Sequence, residues 1–159
     1  MALSREDKDR LCEAEGFLDL GMLQEAASEL AQLNPAAEDD PEVLTLRVAL
    51  FRRTEEWEPM EAAARQLAQL WPHKPDCWIV WSFAKRRTDS LEAGLEILLR
   101  GERKHPQSAV IQFSLGCYAC LMGNPGEAAR RIQRAIELDE RFREIVLEDP
   151  ELAALWEVE

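Results

Sequence analysis

Along residues 7–142 apolar side chains recur at three- and four-residue intervals, the stripe of an amphipathic helix rather than the alternation of a half-buried strand. The stripes break at a fixed step. Gly21, Glu55, Asp89 and Gly123 stand 34 residues apart, each followed two residues later by Leu23, Trp57, Leu91 or Pro125. The same step links Ala26, Met60, Gly94 and Ala128, and it links Ala14, Val48, Ser82 and Gly116. Such self-similarity predicts four units, 7–40, 41–74, 75–108 and 109–142, each of two helices joined by a short turn, with residues 143–159 left over. Start signals agree with this division: Ser4 with Asp7 three residues on, Asp40 before Pro41, Ser108, Asn124 before Pro125 and Asp149 before Pro150 suit N-cap or first-turn places.

Gly116 lies inside a strongly helical segment, where glycine costs about 1 kcal/mol against alanine. Packing gives the reason. Antiparallel helices approach more closely than the usual ~8–10 Å only where one of them lacks bulk, so the small residues mark the crossings. Thirty-four residues with Leu115-Gly116, Ala128 and Ala135 resemble the tetratricopeptide repeat, and Trp78, Gly94, Gly101 and Pro106 carry the resemblance in the third unit. The first unit supplies Ala14, Phe17, Gly21 and Ala26. The second keeps Phe51, Trp57 and Pro72 but has Met60 where alanine is usual, and Pro35 should end the second helix of the first unit early. The resemblance implies an all-α, right-handed superhelical solenoid of antiparallel helix pairs, a single domain over 1–159 with residues 143–159 as a cap. Leu152, Leu155 and Trp156 in that tail read as the cap that covers the last repeat, or as a segment that enters another copy's groove.

Charge refines the picture. The net charge is −12, which argues against a nucleic-acid partner. Residues 1–46 hold three basic and twelve acidic residues, 47–104 hold eleven and nine, and 105–159 hold five and ten, so the middle alone is slightly positive. No apolar run approaches the ~18 residues of a membrane span, and residues 1–11 lack a signal-peptide core. A cytoplasmic protein without a membrane partner is the expectation.

In the family that the chain resembles, the second, fifth, sixth, ninth, twelfth and thirteenth places of each unit face a concave groove. By that rule the first unit offers Lys8, Leu11, Cys12, Glu15, Leu18 and Asp19, and the second Glu42, Thr45, Leu46, Ala49, Arg52 and Arg53. The third offers Asp76, Ile79, Val80, Phe83, Arg86 and Arg87, and the fourth Val110, Phe113, Ser114, Cys117, Cys120 and Leu121. Arg52-Arg53 and Arg86-Arg87 lie one period apart, and guanidinium groups brought side by side would suit an acidic or carboxylate group. Helix-dipole stabilisation accounts for basic residues in a last turn equally well. Ile79, Val80, Phe83, Val110 and Phe113 form an apolar stretch that a partner, the C-terminal helix or the core itself would cover. The carboxylate clamp of some family members is not matched, because Leu11 and Glu15 stand where lysine and asparagine are required.

Catalytic chemistry finds no foothold. Cys117 and Cys120 have no second pair nearby, and His73 and His105 stand apart beside prolines, so neither a metal set nor a thiol–imidazole pair is expected. No cofactor is implied. The sequence thus reads as a non-enzymatic adaptor that binds a peptide or partner protein, with Arg52, Arg53, Arg86 and Arg87 on an acidic group and Ile79, Phe83 and Phe113 on apolar side chains. Two alternatives stand beside it: a small acidic holder of unfolded clients that resembles bacterial secretion chaperones and works as a homodimer, and a structural subunit whose groove is filled by its own tail.

Overall fold

Several helices begin where a polar side chain can satisfy the orphan N–H groups of the first turn. Ser4 Oγ accepts from Asp7 N at 3.0 Å and donates to the Asp7 carboxylate at 2.8 Å. Asp40 accepts from Glu42 N, Ser90 from Ala93 N, Ser108 from Ile111 N and Asn124 from Glu127 N. Pro41, Pro75 and Pro125 occupy first-turn places where no N–H is needed. Ser90 lies one 34-residue step before Asn124 and caps the equivalent helix.

The computed structural model describes residues 2–150 and 152. Among them the helices are α1 (Arg5–Asp19), α2 (Leu23–Ala31), α3 (Pro41–Thr54), α4 (Trp57–Leu70), α5 (Pro75–Thr88), α6 (Leu91–Lys104), α7 (Ala109–Leu121), α8 (Pro125–Leu138) and α9 (Phe142–Glu148). Helices α3, α5 and α7 start 34 residues apart, and so do α2, α4, α6 and α8. The all-α repeat expected from the sequence is therefore present. Helix α2 is nine residues long where its counterparts have fourteen, because the chain turns at Asn34 into a short 3-10 segment, Pro35–Ala37.

Gly21 and Gly123 adopt left-handed backbone, with φ of 76° and 75°, and Glu55 takes the same conformation at 59°. Asp89, the fourth member of that series, does not, and its turn closes with φ −129°. The chain divides into two compact units, residues 1–72 and 73–159. In the first, α1 packs on α2 and α3, and α3 packs on α4. Leu11, Ala14, Leu18, Ala26, Leu30, Val43 and Leu50 form its core. In the second, α5 packs on α6 and α7, and α7 on α8. Its interior holds Leu98, Ile111, Leu115 and Tyr118, beside a further cluster of Cys117, Ile132, Val146 and Leu152.

The small residues do mark crossings. A Cβ on Gly116 would stand 2.6 Å from Ile132 Cδ1, one on Gly101 would stand 2.7 Å from Trp78 Cβ, and one on Gly94 would meet the Tyr118 hydroxyl at 2.5 Å and the Ser82 carbonyl at 2.9 Å. Leu155 and Trp156 of the expected cap lie outside the described residues, whereas Leu152 is buried.

Candidate functional site

On the face shared by α1 and α3, a pocket of about 390 Å³ opens within residues 1–72. The period explains its lining. Lys8, Leu11, Cys12 and Glu15 lie at three- and four-residue spacing along α1, and Glu42, Thr45 and Leu46 do the same along α3. All seven are places that the family rule assigned to the groove, and Trp71, after the end of α4, completes the pocket. Leu11 is buried and belongs to the core, Leu46 is half-buried against that core, and Trp71 is half-buried. Lys8, Cys12, Glu15, Glu42 and Thr45 are exposed. The pocket therefore joins an apolar surface continuous with the core to a charged border. Among the described residues neither Glu15 nor Glu42 has an ion-pair partner.

Trp71 is a lining residue that the census of first helices overlooked. Its signal was available in its place beside the repeat-ending Pro72.

The arginines expected to bind an anion have work inside their own units. Arg53 donates to the Leu18 carbonyl at 3.2 Å, beside the bond that Gly21 N makes to the same oxygen at 3.0 Å, so its guanidinium ties the end of α1 to α3. Arg52 is exposed in the last turn of α3. In the second unit Arg86 lies 4.8 Å over the Phe83 ring and 5.4 Å over Tyr118, and Arg87 lies 5.5 Å over the same Phe83 ring. These are cation–π contacts. Phe83 thus gathers two guanidinium groups at the C-terminal end of α5.

Ile79 packs against the core around Leu98 and Ile111. Phe113 stacks on Phe142 of α9, with ring centroids 5.3 Å apart, and lies against the cluster that contains Val146 and Leu152. Helix α9 therefore covers Phe113 on α7.

Ser82, Tyr118 and Gln112, buried polar residues elsewhere in the second unit, are paired. Ser82 Oγ donates to the Gly94 carbonyl at 2.8 Å and lies 2.5 Å from the Tyr118 hydroxyl, which reaches the Ser82 carbonyl at 3.1 Å. Gln112, also buried, donates to Glu102 at 2.6 Å, and Arg131 links Glu102, Gln112 and Glu127. Hydrogen bonds from Arg130 and then Arg131 hold the Glu127 carboxyl below its ordinary range. Burial pushes the Cys77 thiol up, away from the thiolate that nucleophilic or metal chemistry needs. Among the described residues no group of three or more His, Cys, Asp or Glu side chains could hold a metal ion, and no helix is long and apolar enough to cross a membrane.

No family model and no curated protein matches the sequence. Solved structures do. A thermophilic tetratricopeptide-repeat protein of Thermus thermophilus, TTC0263, superimposes with a TM-score of 0.73 at 20% identity, over 94% of this chain and 81% of that one. A MamA protein gives a TM-score of 0.72 at 13% identity, over 96% and 81%. Cut9, in the APC/C hetero-tetramer Cut9-Hcn1, gives 0.67 at 13% identity, over 92% of this chain and 28% of that one. The fold is the tetratricopeptide-repeat fold that the 34-residue step implied.

Proposed function

We propose that the chain is a non-enzymatic adaptor that holds a segment of a partner protein against the first helices of its hairpins. The observation that carries this reading is the pocket between α1 and α3, lined on one side of each helix by apolar and charged residues in register with the repeat. Small, partly apolar concavities with a few polar groups are the usual places for a bound segment to anchor. The fold is compatible with this use, since a solved neighbour stands in a hetero-tetramer. The test is to fill the pocket. Cys12→Phe places a ring there from an exposed position, and affinity isolation from the source cells compares the variant with the unaltered protein. The reading expects a partner that the filled pocket releases; a partner set that is identical for both proteins counts against it.

A second contact belongs to the other unit. Arg86 and Arg87 face one aromatic ring, and guanidinium groups fixed in this way suit a carboxylate of the bound partner. Removing such a contact at a desolvated place costs about 2–5 kcal/mol of binding, and at a solvated border little. The affinity of Arg86→Ala for the isolated partner decides between the two.

A further inference from the structure

The charges around the α1–α3 pocket say more about the ligand than the fold does. Residues 1–72 contain seven basic and sixteen acidic side chains, a net −9, whereas residues 73–159 contain twelve and fifteen, a net −3. Three quarters of the excess negative charge thus sits on the unit that bears the pocket. Within the lining two carboxylates, Glu15 and Glu42, outnumber the one cation, Lys8, and neither carboxylate has an ion-pair partner among the described residues. The apolar part of the same pocket is made by Leu11, Leu46 and Trp71.

We infer that this pocket selects a cationic, amphipathic segment: a short stretch that places a leucine-sized side chain against Leu11, Leu46 and Trp71, with a neighbouring lysine or arginine between Glu15 and Glu42. Two arguments converge on this occupant. Like charge would be repelled from a unit of net −9, so an acidic segment is disfavoured before contact. An apolar segment without a cation would leave both carboxylates to lose part of their hydration with nothing in return. This inference rests on the adaptor reading and names the class of its ligand.

Three short fluorescein-labelled peptides test it, alike in two leucines and differing only in carrying lysine, glutamine or glutamate at the flanking positions. Fluorescence anisotropy is measured on the full chain at low and at physiological salt. The lysine peptide is expected to bind most tightly and to weaken as salt rises. The double variant Glu15→Gln, Glu42→Gln should bind it about fivefold more weakly, the scale of two exposed ion pairs. Cys12→Phe, or Thr45→Phe as an independent plug should the first variant misfold, should abolish binding.

Each contrary outcome has its own meaning. If the glutamine or glutamate peptide binds as tightly as the lysine peptide and the plugs still block it, the ligand class is wrong while the adaptor reading survives. If binding of the peptides ignores both plugs, the pocket is not the binding place and the adaptor reading falls with it. If no peptide binds, and sedimentation shows a self-association that the plugs abolish, a second copy of the chain is the occupant and the inference is overturned.

Discussion

In residues 1–72 the two first helices border a pocket, whereas in residues 73–159 the equivalent pair, α5 and α7, is joined by the buried Ser82–Tyr118 contact. The backbone period is the same in both. What differs is the side chain delivered by the 34-residue step: Ala14 and Val48 occupy the places of Ser82 and Gly116, so the first unit packs its crossings with carbon alone and the second adds buried hydrogen bonds. The first unit also leaves its Glu15 and Glu42 carboxylates without described partners, while the second ties Glu102 and Glu127 to Arg131. A repeat of fixed length can thus leave carboxylates unpaired in one unit and lock another with buried hydrogen bonds and ion pairs.

The largest expected effect lies in the locked unit. Gly94→Ala forces a methyl group against the Tyr118 hydroxyl, Arg86 Cβ and the Ser82 carbonyl, and should destabilise by about 1–3 kcal/mol even though alanine is the better helix former. Urea unfolding gives the value, and hydrogen exchange should show the greatest loss of protection in α5–α7. A neutral result would mean that the Ser82–Tyr118 contact yields easily, and the contrast between the units would disappear. Next comes Arg131→Met, which leaves Glu102 and the buried Gln112 short of a partner and should cost about 2 kcal/mol in the same assay.

In the first unit the same chemical change should have the opposite sign. Nothing lies within 4 Å of a Cβ built on Gly16, so Gly16→Ala should stabilise by up to about 1 kcal/mol through helix propensity. The smallest effect is confined to acid. Asp7 accepts from Asn34 N and from Ser4, and these bonds, the first foremost, hold its carboxyl below the ordinary range. A depressed carboxyl contributes stability above its unfolded value, and that contribution is lost as pH falls through the lower folded value, from about pH 4 downward. In Asp7→Asn this part of the acid unfolding slope should vanish.

The sequence made the backbone plain and the side-chain partnerships much less so. Start signals and the spacing of Gly21, Glu55 and Gly123 located the turns, because helix caps and left-handed positions are chosen by local chemistry. Asp89 kept the phase without keeping the conformation. Placing Lys8, Leu11, Cys12 and Glu15 on one face required only the period of a helix. Spacing does bring Arg86 and Arg87 to Phe83, three and four residues back on the same helix, but it does not tell that Arg86 also reaches Tyr118 of α7 or that Arg53 turns to the Leu18 carbonyl of α1. Such choices depend on distances between helices, which a one-dimensional pattern does not contain.

The left-handed turn at Glu55 carries a consequence of another kind. A glutamate held at φ 59° gives up about 1 kcal/mol that glycine, as at Gly21 and Gly123, would not. One base change turns a glutamate codon into a glycine codon. Natural variation therefore has, at this one loop, a ready route to a sturdier protein that leaves the pocket-lining residues untouched.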